Sequence, residues 1–328
     1  MSQDEPEVVG DLGEHALIER VVRRFRSPPA GEVWSGDDTA AFGGLLFTTD
    51  LMVEDVDFRL GYADGFDVGW KLVAANASDI AAMGGLPWRA VAAVALRPDT
   101  SVEFVDSLAE GLASACREWD IGLVGGDFSS GQEISATLAL LGRAHERGPV
   151  LRSGATTGDA LCVTGALGGA AGGLLALSAK DAPGAELASL VERQLRPRAR
   201  VAEGSALGGL ATAMIDISDG LAVDLGHLID SSSVGCDVEL ASIPVDTALR
   251  LLPSIDPAQT QALAITGGED FELLFTIDEG HLKEARAALA GLGTPLTKIG
   301  VITDGPAQIG GRDLDDWRAK GWEHLRGR

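Results

Sequence analysis

Six short acidic segments, each beside Gly, Ser or Thr, are spread along the chain, and most fall where an apolar run stops. They are Gly36-Asp37-Asp38, Thr48-Thr49-Asp50, Asn76-Ala77-Ser78-Asp79, Gly125-Gly126-Asp127, Asp216-Ile217-Ser218-Asp219-Gly220 and Gly267-Gly268-Glu269-Asp270. A fold that brings them together gathers carboxylates at the ends of buried strands. An ionised carboxylate is costly to bury without a positive partner. Two like charges about 4 Å apart repel by roughly 1 kcal/mol in water and by about 4 kcal/mol at an effective dielectric near 20. Converging carboxylates therefore either keep protons or bind cations. Hard divalent cations suit an all-oxygen set, and a polyphosphate is a reason to gather several.

The rest of the composition narrows the partners. With 328 residues, 45% of them apolar, the chain can bury one large or two ordinary cores. Its 49 acidic and 26 basic residues give a net charge of −23. Such a surface lacks the cations that displace counterions from a phosphate backbone, so nucleic acid is excluded as a partner, and an anionic membrane surface fits no better. The three cysteines, Cys116, Cys162 and Cys236, follow no CxxC spacing. An odd count and an acidic N-terminal stretch without an apolar core predict a reduced, cytoplasmic, soluble protein.

Periodicity predicts helices over 15–25, 67–83, 102–119, 187–195, 218–230 and 279–292. It predicts strands over 45–53, 89–96, 121–124, 134–142, 160–164, 211–217 and 271–277. Asp67 is a plausible helix cap, and Gly84-Gly85 a stop. Strands and helices mix without strict alternation, so the expected class is α+β in two domains. Composition shifts over 143–158, which divides the chain into 1–148 and 149–328.

Taken singly, the acidic segments are weak signals. Asp79 shares a helix face with Leu72, Asn76 and Met83 among small alanines, which lets another backbone approach; a half-exposed surface carboxylate would look the same. Thr48, Thr49 and Asp50 follow an apolar run and offer oxygen ligands, but Thr and Asp also favour turns. Asp216 alternates with Ile215 and Ile217 and so points away from the face those two bury. Ser218 suits a helix N-cap and Asp219 a first turn. A helix start attracts phosphate, whereas Asp219 repels it, and a metal between them resolves the conflict. Paired glycines beside Asp127 and Glu269 suggest close backbone approach or positive φ.

Rival motifs are missing. The chain has no GxxxxGK[ST], no HRD or DFG, no GxGxxG, no HExxH and no Cys/His cluster, and its five histidines are dispersed.

In order and content these segments, with Leu151-Arg152-Ser153-Gly154, resemble the thiamine-monophosphate kinases, relatives of aminoimidazole ribonucleotide synthetase and selenophosphate synthetase. The resemblance runs from about residue 13 to 325. It implies ATP-dependent phosphorylation of thiamine monophosphate to thiamine diphosphate by direct transfer. It implies an N-terminal mixed sheet with helices that pairs across a homodimer, followed by a C-terminal α/β sandwich-like domain. On matching positions, Asp38, Thr48, Thr49, Asp50, Asp79, Asp127, Asp216 and Asp219 are expected to hold several Mg²⁺ ions. Gly126, Asp127, Arg152 and Ser218 are expected to touch ATP, and Glu269 and Trp322 the thiamine moiety. Members usually carry His where Asp57 stands, near the acceptor, so the acceptor contacts differ here. An acceptor that is itself a phosphate is ionised near neutral pH, its second pKa being about 6, so no general base is expected. Trp322 could stack on a cationic or aromatic ring, or simply fill a core.

Two other readings stay open: another member of the same superfamily, of which an aminoimidazole ribonucleotide synthetase remains formally possible, and a protein of a different class. A selenophosphate synthetase would carry a reactive Cys or selenocysteine near its N-terminus, and residues 1–40 hold no Cys; a hydrogenase-maturation dehydratase would end in Cys, and this chain ends His324-Leu325-Arg326-Gly327-Arg328. A non-catalytic cation binder is the alternative of another class, although no EF-hand loop is present.

Overall fold

Two sheets organise the residues that the computed structural model describes, 8–179, 183–253 and 255–321. The first contains β1 (Ala40–Phe42), β2 (Leu45–Val53), β3 (Leu86–Leu96), β4 (Gly122–Ser130) and β5 (Ser135–Arg143), in the order β1-β2-β5-β3-β4. It is mixed: β3 and β4 run parallel and the other pairs antiparallel. The second contains β6 (Ala160–Thr164), β7 (Ala211–Asp216), β8 (Gly235–Val238), β9 (Leu273–Ile277), β10 (Leu296–Thr303), β11 (Gln308–Ile309) and β12 (Arg312–Asp313). Their order is β12-β11-β8-β10-β6-β9-β7, with only the β11–β8 pair parallel.

The helices are α1 (Val9–Leu12), α2 (Glu14–Val22), α3 (Gly65–Ala82), α4 (Val102–Glu118), α5 (Gly169–Leu177), α6 (Ala188–Leu195), α7 (Val201–Leu207), α8 (Leu221–Ser232), α9 (Pro257–Thr266), α10 (Leu282–Gly291) and α11 (Leu314–Arg318). The most consequential is α3. Asp64 caps it, and Asp67, the expected cap, closes the reciprocal bond from inside the first turn. All of α3 is buried except Phe66, Trp70 and Asp79. A helix covered on every side lies between two layers. One apolar core accordingly runs from Leu46, Leu138 and Leu140 of the first sheet, through Leu72, Ile80 and Met83, to Met214 and Phe275 of the second. A separate cluster fills the opposite face of the second sheet, where Val163, Ile215 and Leu274 meet Leu225 and Ile229 of α8 and Trp317 of α11. The C-terminal half is thus a sheet covered on both faces.

Three local expectations are corrected. Thr48-Thr49-Asp50 lies in the middle of β2, because the apolar run resumes at Leu51-Met52-Val53. Strand alternation then puts Thr48 on the buried face with Met52 and Thr49 on the open one. Gly125-Gly126-Asp127 lies inside β4, where a Cβ on Gly126 would stand 2.3 Å from the Ala92 carbonyl oxygen. Ser218 is no helix cap and Asp219 is not in a first turn, since α8 starts at Leu221 after Gly220 at φ 109. The cysteines are all buried and unpaired. Among the described residues, no helix is long and apolar enough to cross a membrane.

Candidate active site

Four elements deliver carboxylates to one place between the sheets. Asp38 comes from the loop before β1, Asp50 from β2, Asp79 from α3, and Asp216 from the last position of β7. Carboxylate oxygens of Asp38, Asp79 and Asp216 all lie within 4.8 Å of one another. The hydroxyls of Thr48 and Ser78 donate to Asp79 Oδ2 and Asp216 Oδ2, each at 2.5 Å. Asn76 Oδ1 accepts the Asp50 amide at 3.2 Å, tying the strand to the helix. Among the described residues, the one cation bonded to the group is Arg152, from the segment joining the two sheets, whose Nη2 reaches Asp38 Oδ1 at 2.6 Å. Asp37 is taken up by the Arg152 amide, at 3.1 Å, so it orients the arginine and stands outside the cluster.

Burial dominates the electrostatics. It pushes Asp216 up to about 8, with the Asp38 charge adding to the effect. Burial, and then the Asp57 charge, raises Asp50 to about 6. Asp79 is pushed well above the usual carboxylate range by burial and then by Asp50, Asp216 and Asp38. Asp38 is raised by burial against the pull of Arg152. Four acids and one guanidinium leave a deficit of positive charge. Asp38 Oδ2 and Asp50 Oδ2 are moreover buried without any partner. Orphaned acceptors at the centre of an all-oxygen set fit a hard divalent cation.

The cage opens into a cleft of about 360 Å³, walled by Asp50, Asp57, Ser218, Asp219 and Glu269 together with apolar Met52, Ala171, Leu174 and Phe271. The structure therefore brings together several acids that are far apart in the chain. Ser218 and Asp219 do face this space, but on a loop shaped by a residue that reading passed over. Asp224 is buried, and its Oδ2 accepts the amides of Ser218, Asp219 and Gly220 at 3.0–3.1 Å. Those donors are thereby withdrawn from any phosphate. The available signal was an acid spaced four after Gly220 in the apolar opening of a helix. Asp270 likewise accepts the Gly168 and Ala170 amides at the start of α5 and takes no part in the cage.

Other expected residues stand elsewhere. The Asp57 carboxylate accepts the Val53 amide at 2.8 Å while lining the cleft. Thr49 turns its hydroxyl to Thr137, 3.2 Å away, on the open face of the sheet. Gly126 and Asp127 lie on exposed β4, with β5 and β3 between them and β2. Asp50, Leu138, Ala92 and Gly126 form one row across the sheet, so Gly126 and its neighbour Asp127 are about 14 Å from Asp50 at ordinary strand spacing. Trp322 lies outside the described residues.

Family models for the AIR synthase related proteins match this chain, the N-terminal domain over residues 36–144 and the C-terminal domain over 156–311. Thiamine-monophosphate kinase of Escherichia coli is 37% identical over 331 residues, covering 95% of this chain and 98% of that protein. The chain belongs to the thiamine-monophosphate kinase family. The family member of Aquifex aeolicus is 33% identical over 96% of this chain and 99% of its own length. A solved structure described as AaThiL complexed with AMPPCP and TMP superposes with a TM-score of 0.85 at 30% identity, covering 97% of this chain and 99% of that one. The hydrogenase maturation protein HypE of E. coli, at 19% identity and a TM-score of 0.67, shares the fold alone.

Proposed function

We propose that this protein transfers the terminal phosphoryl group of ATP to thiamine monophosphate, giving thiamine diphosphate and ADP. The observation that carries the reading is the buried acid cage, short of positive charge, opening into a cleft whose far wall holds Glu269. Relatives named for this activity and a homologous structure with an ATP analogue and TMP support it.

Asp38, Asp50, Asp79 and Asp216, with Thr48, would hold Mg²⁺, and Asp219 would join them from the cleft wall. Bound there, Mg²⁺ supplies the positive charge that lets two polyphosphates approach one another. The protein's own task is positioning. Arg152, fixed by Asp37 and Asp38, offers its guanidinium to ATP, and Ser218 faces the same space. The described lining of the cleft includes no histidine. None is needed, because the acceptor phosphate is already ionised near neutral pH. Glu269 and Asp57 would meet the organic end of the acceptor. We assign the domains to 1–148 and 149–328 and the protein to the cytoplasm.

The unit would be a homodimer. The face of the first sheet turned away from α3 exposes Phe47, Leu51 and Val91, and the free edge strand exposes Val124 and Phe128. An open apolar face beside a nine-residue bare edge invites a second copy. Thr49 lies on that face and Asp127 on that edge, so both would be covered by the partner. Solution mass measurement tests the dimer.

The decisive assay supplies ATP, Mg²⁺ and thiamine monophosphate. Equal amounts of ADP and thiamine diphosphate are expected; inorganic phosphate without thiamine diphosphate would sink the reading.

A further inference from the structure

Glu269 is held more tightly than a surface carboxylate needs to be. Its backbone sits at φ 68, where non-glycine residues are uncommon. Its amide donates to Ser218 O at 2.8 Å, and a Cβ on the preceding Gly268 would stand 2.5 Å from that same oxygen. The two carboxylate oxygens are engaged separately. Lys71 Nζ, from α3, pairs with Oε1. Gln194 Nε2, from α6, donates to Oε2 at 2.6 Å. The Lys71 side chain is only 5% exposed, and that of Glu269 33%. Gln194 is buried, and its Oε1 has no partner, so the bond to Glu269 alone decides how its amide is turned. Asp67, which shares the space around Lys71 and Gln194, is bonded to Arg196 at 2.7 Å.

We propose that Lys71 and Gln194 are positioning residues that anchor Glu269 at both oxygens and cancel its charge. The cleft then selects the organic end of the acceptor by a fixed pair of hydrogen-bond acceptors and not by attraction to a free anion. This rests on reading Glu269 as an acceptor contact. Because Lys71 belongs to α3 while Gln194 and Glu269 come from beyond the joining segment, the contact exists only when the two halves are docked. A buried ammonium without its carboxylate is strongly disfavoured, which makes the pairing reciprocal.

The test uses the full chain with ATP, Mg²⁺ and thiamine monophosphate. Lys71→Met replaces the buried ammonium with an apolar chain of similar length and leaves Glu269, whose side chain is 33% exposed, solvated from the cleft. Its KM for thiamine monophosphate should rise about tenfold, with kcat and the KM for ATP within about twofold of wild type. Gln194→Leu should raise the same KM by about threefold. The double variant Lys71→Met/Glu269→Gln should be no worse than Glu269→Gln alone, because both changes act through one carboxylate. A lowered melting temperature with an unchanged KM in Lys71→Met overturns the proposal, as does full additivity in the double variant. Wild-type protein that makes no thiamine diphosphate overturns the reading of the cleft and the proposal with it; an active wild type with an indifferent Lys71→Met overturns the proposal alone.

Discussion

Among the described residues two clusters of acids lie inside the fold, and they are treated in opposite ways. Glu272, 1% exposed, receives Arg200 on both oxygens, at 2.7 and 2.5 Å, and Thr164 at 2.6 Å. Arg193 stands 3.4 Å from it, and Glu203 is bonded by the Thr294 hydroxyl at 2.5 Å. That cluster carries its own cations and hydroxyls. The cage of Asp38, Asp50, Asp79 and Asp216 has one arginine, two hydroxyls and two orphaned oxygens. Unequal satisfaction separates a structural ion cluster from a candidate site, because an acid left without a partner by its own chain is open to one from solution.

Substitution on each side should break the comparison differently. Asp50→Asn removes a cage oxygen charge while keeping its shape. Turnover should fall on the order of 10³-fold, the scale of several kcal/mol of lost charge stabilisation, with the melting temperature unchanged or higher. Glu272→Gln leaves buried Arg200 with the more distant Glu203 carboxylate, 3.5 Å away, as its counter-charge. It should cost about 3 kcal/mol of stability in a denaturant titration while kcat changes little. Should Asp50→Asn unfold the protein while Glu272→Gln abolishes turnover, the two clusters have been assigned the wrong way round.

Asp224→Asn sharpens the boundary between them, since Asp224 touches no substrate yet shapes the loop carrying Ser218 and Asp219. Replacing the carboxyl oxygen that accepts three amides should raise the KM for ATP about tenfold. An unchanged KM would show that the loop holds its shape without it.

The smallest effect is on pH. Carboxyls raised in the folded state stabilise it when protonated. That stability is fully present below their unfolded value of 3.8 and is lost as pH rises through the folded values, about 6 for Asp50 and about 8 for Asp216. Without divalent cations the melting temperature should therefore decline between about pH 4 and pH 8. Added Mg²⁺ should restore it more at pH 8 than at pH 5. Equal Mg²⁺ stabilisation at both values would mean that these acids are not its ligands.

Strongly patterned segments were legible in advance. The strands over 45–53 and 160–164 fall at β2 and β6 with their full bounds, and α3 stops at Gly84 as its sequence suggests. From 235 onward the strand over 271–277 and the helix over 279–292 meet β9 and α10, but the pieces before and after them were not read. β8 is four residues long, β11 and β12 two each, and α9 mixes Gln and Thr into its apolar positions. Such pieces carry too little periodicity to stand out and are stabilised by the sheet they complete. In the site, the acids themselves were recognisable. Asp224, Lys71 and Gln194 were not, since each acts on another residue and nothing local marks it.

By itself the sequence determined which residues are acids, which runs are apolar, and that so many carboxylates, once gathered, either keep protons or bind cations. Those are properties of composition and short-range order. Tertiary structure alone decided which acids meet. Strand alternation sent Thr48 inward and Thr49 outward, β4 carried Asp127 to an edge, and Asp224 and Asp270 were spent on backbone amides. The physical reason is that a carboxylate's role is set by whether its partners come from its own chain, and that is known only once distant segments are packed together.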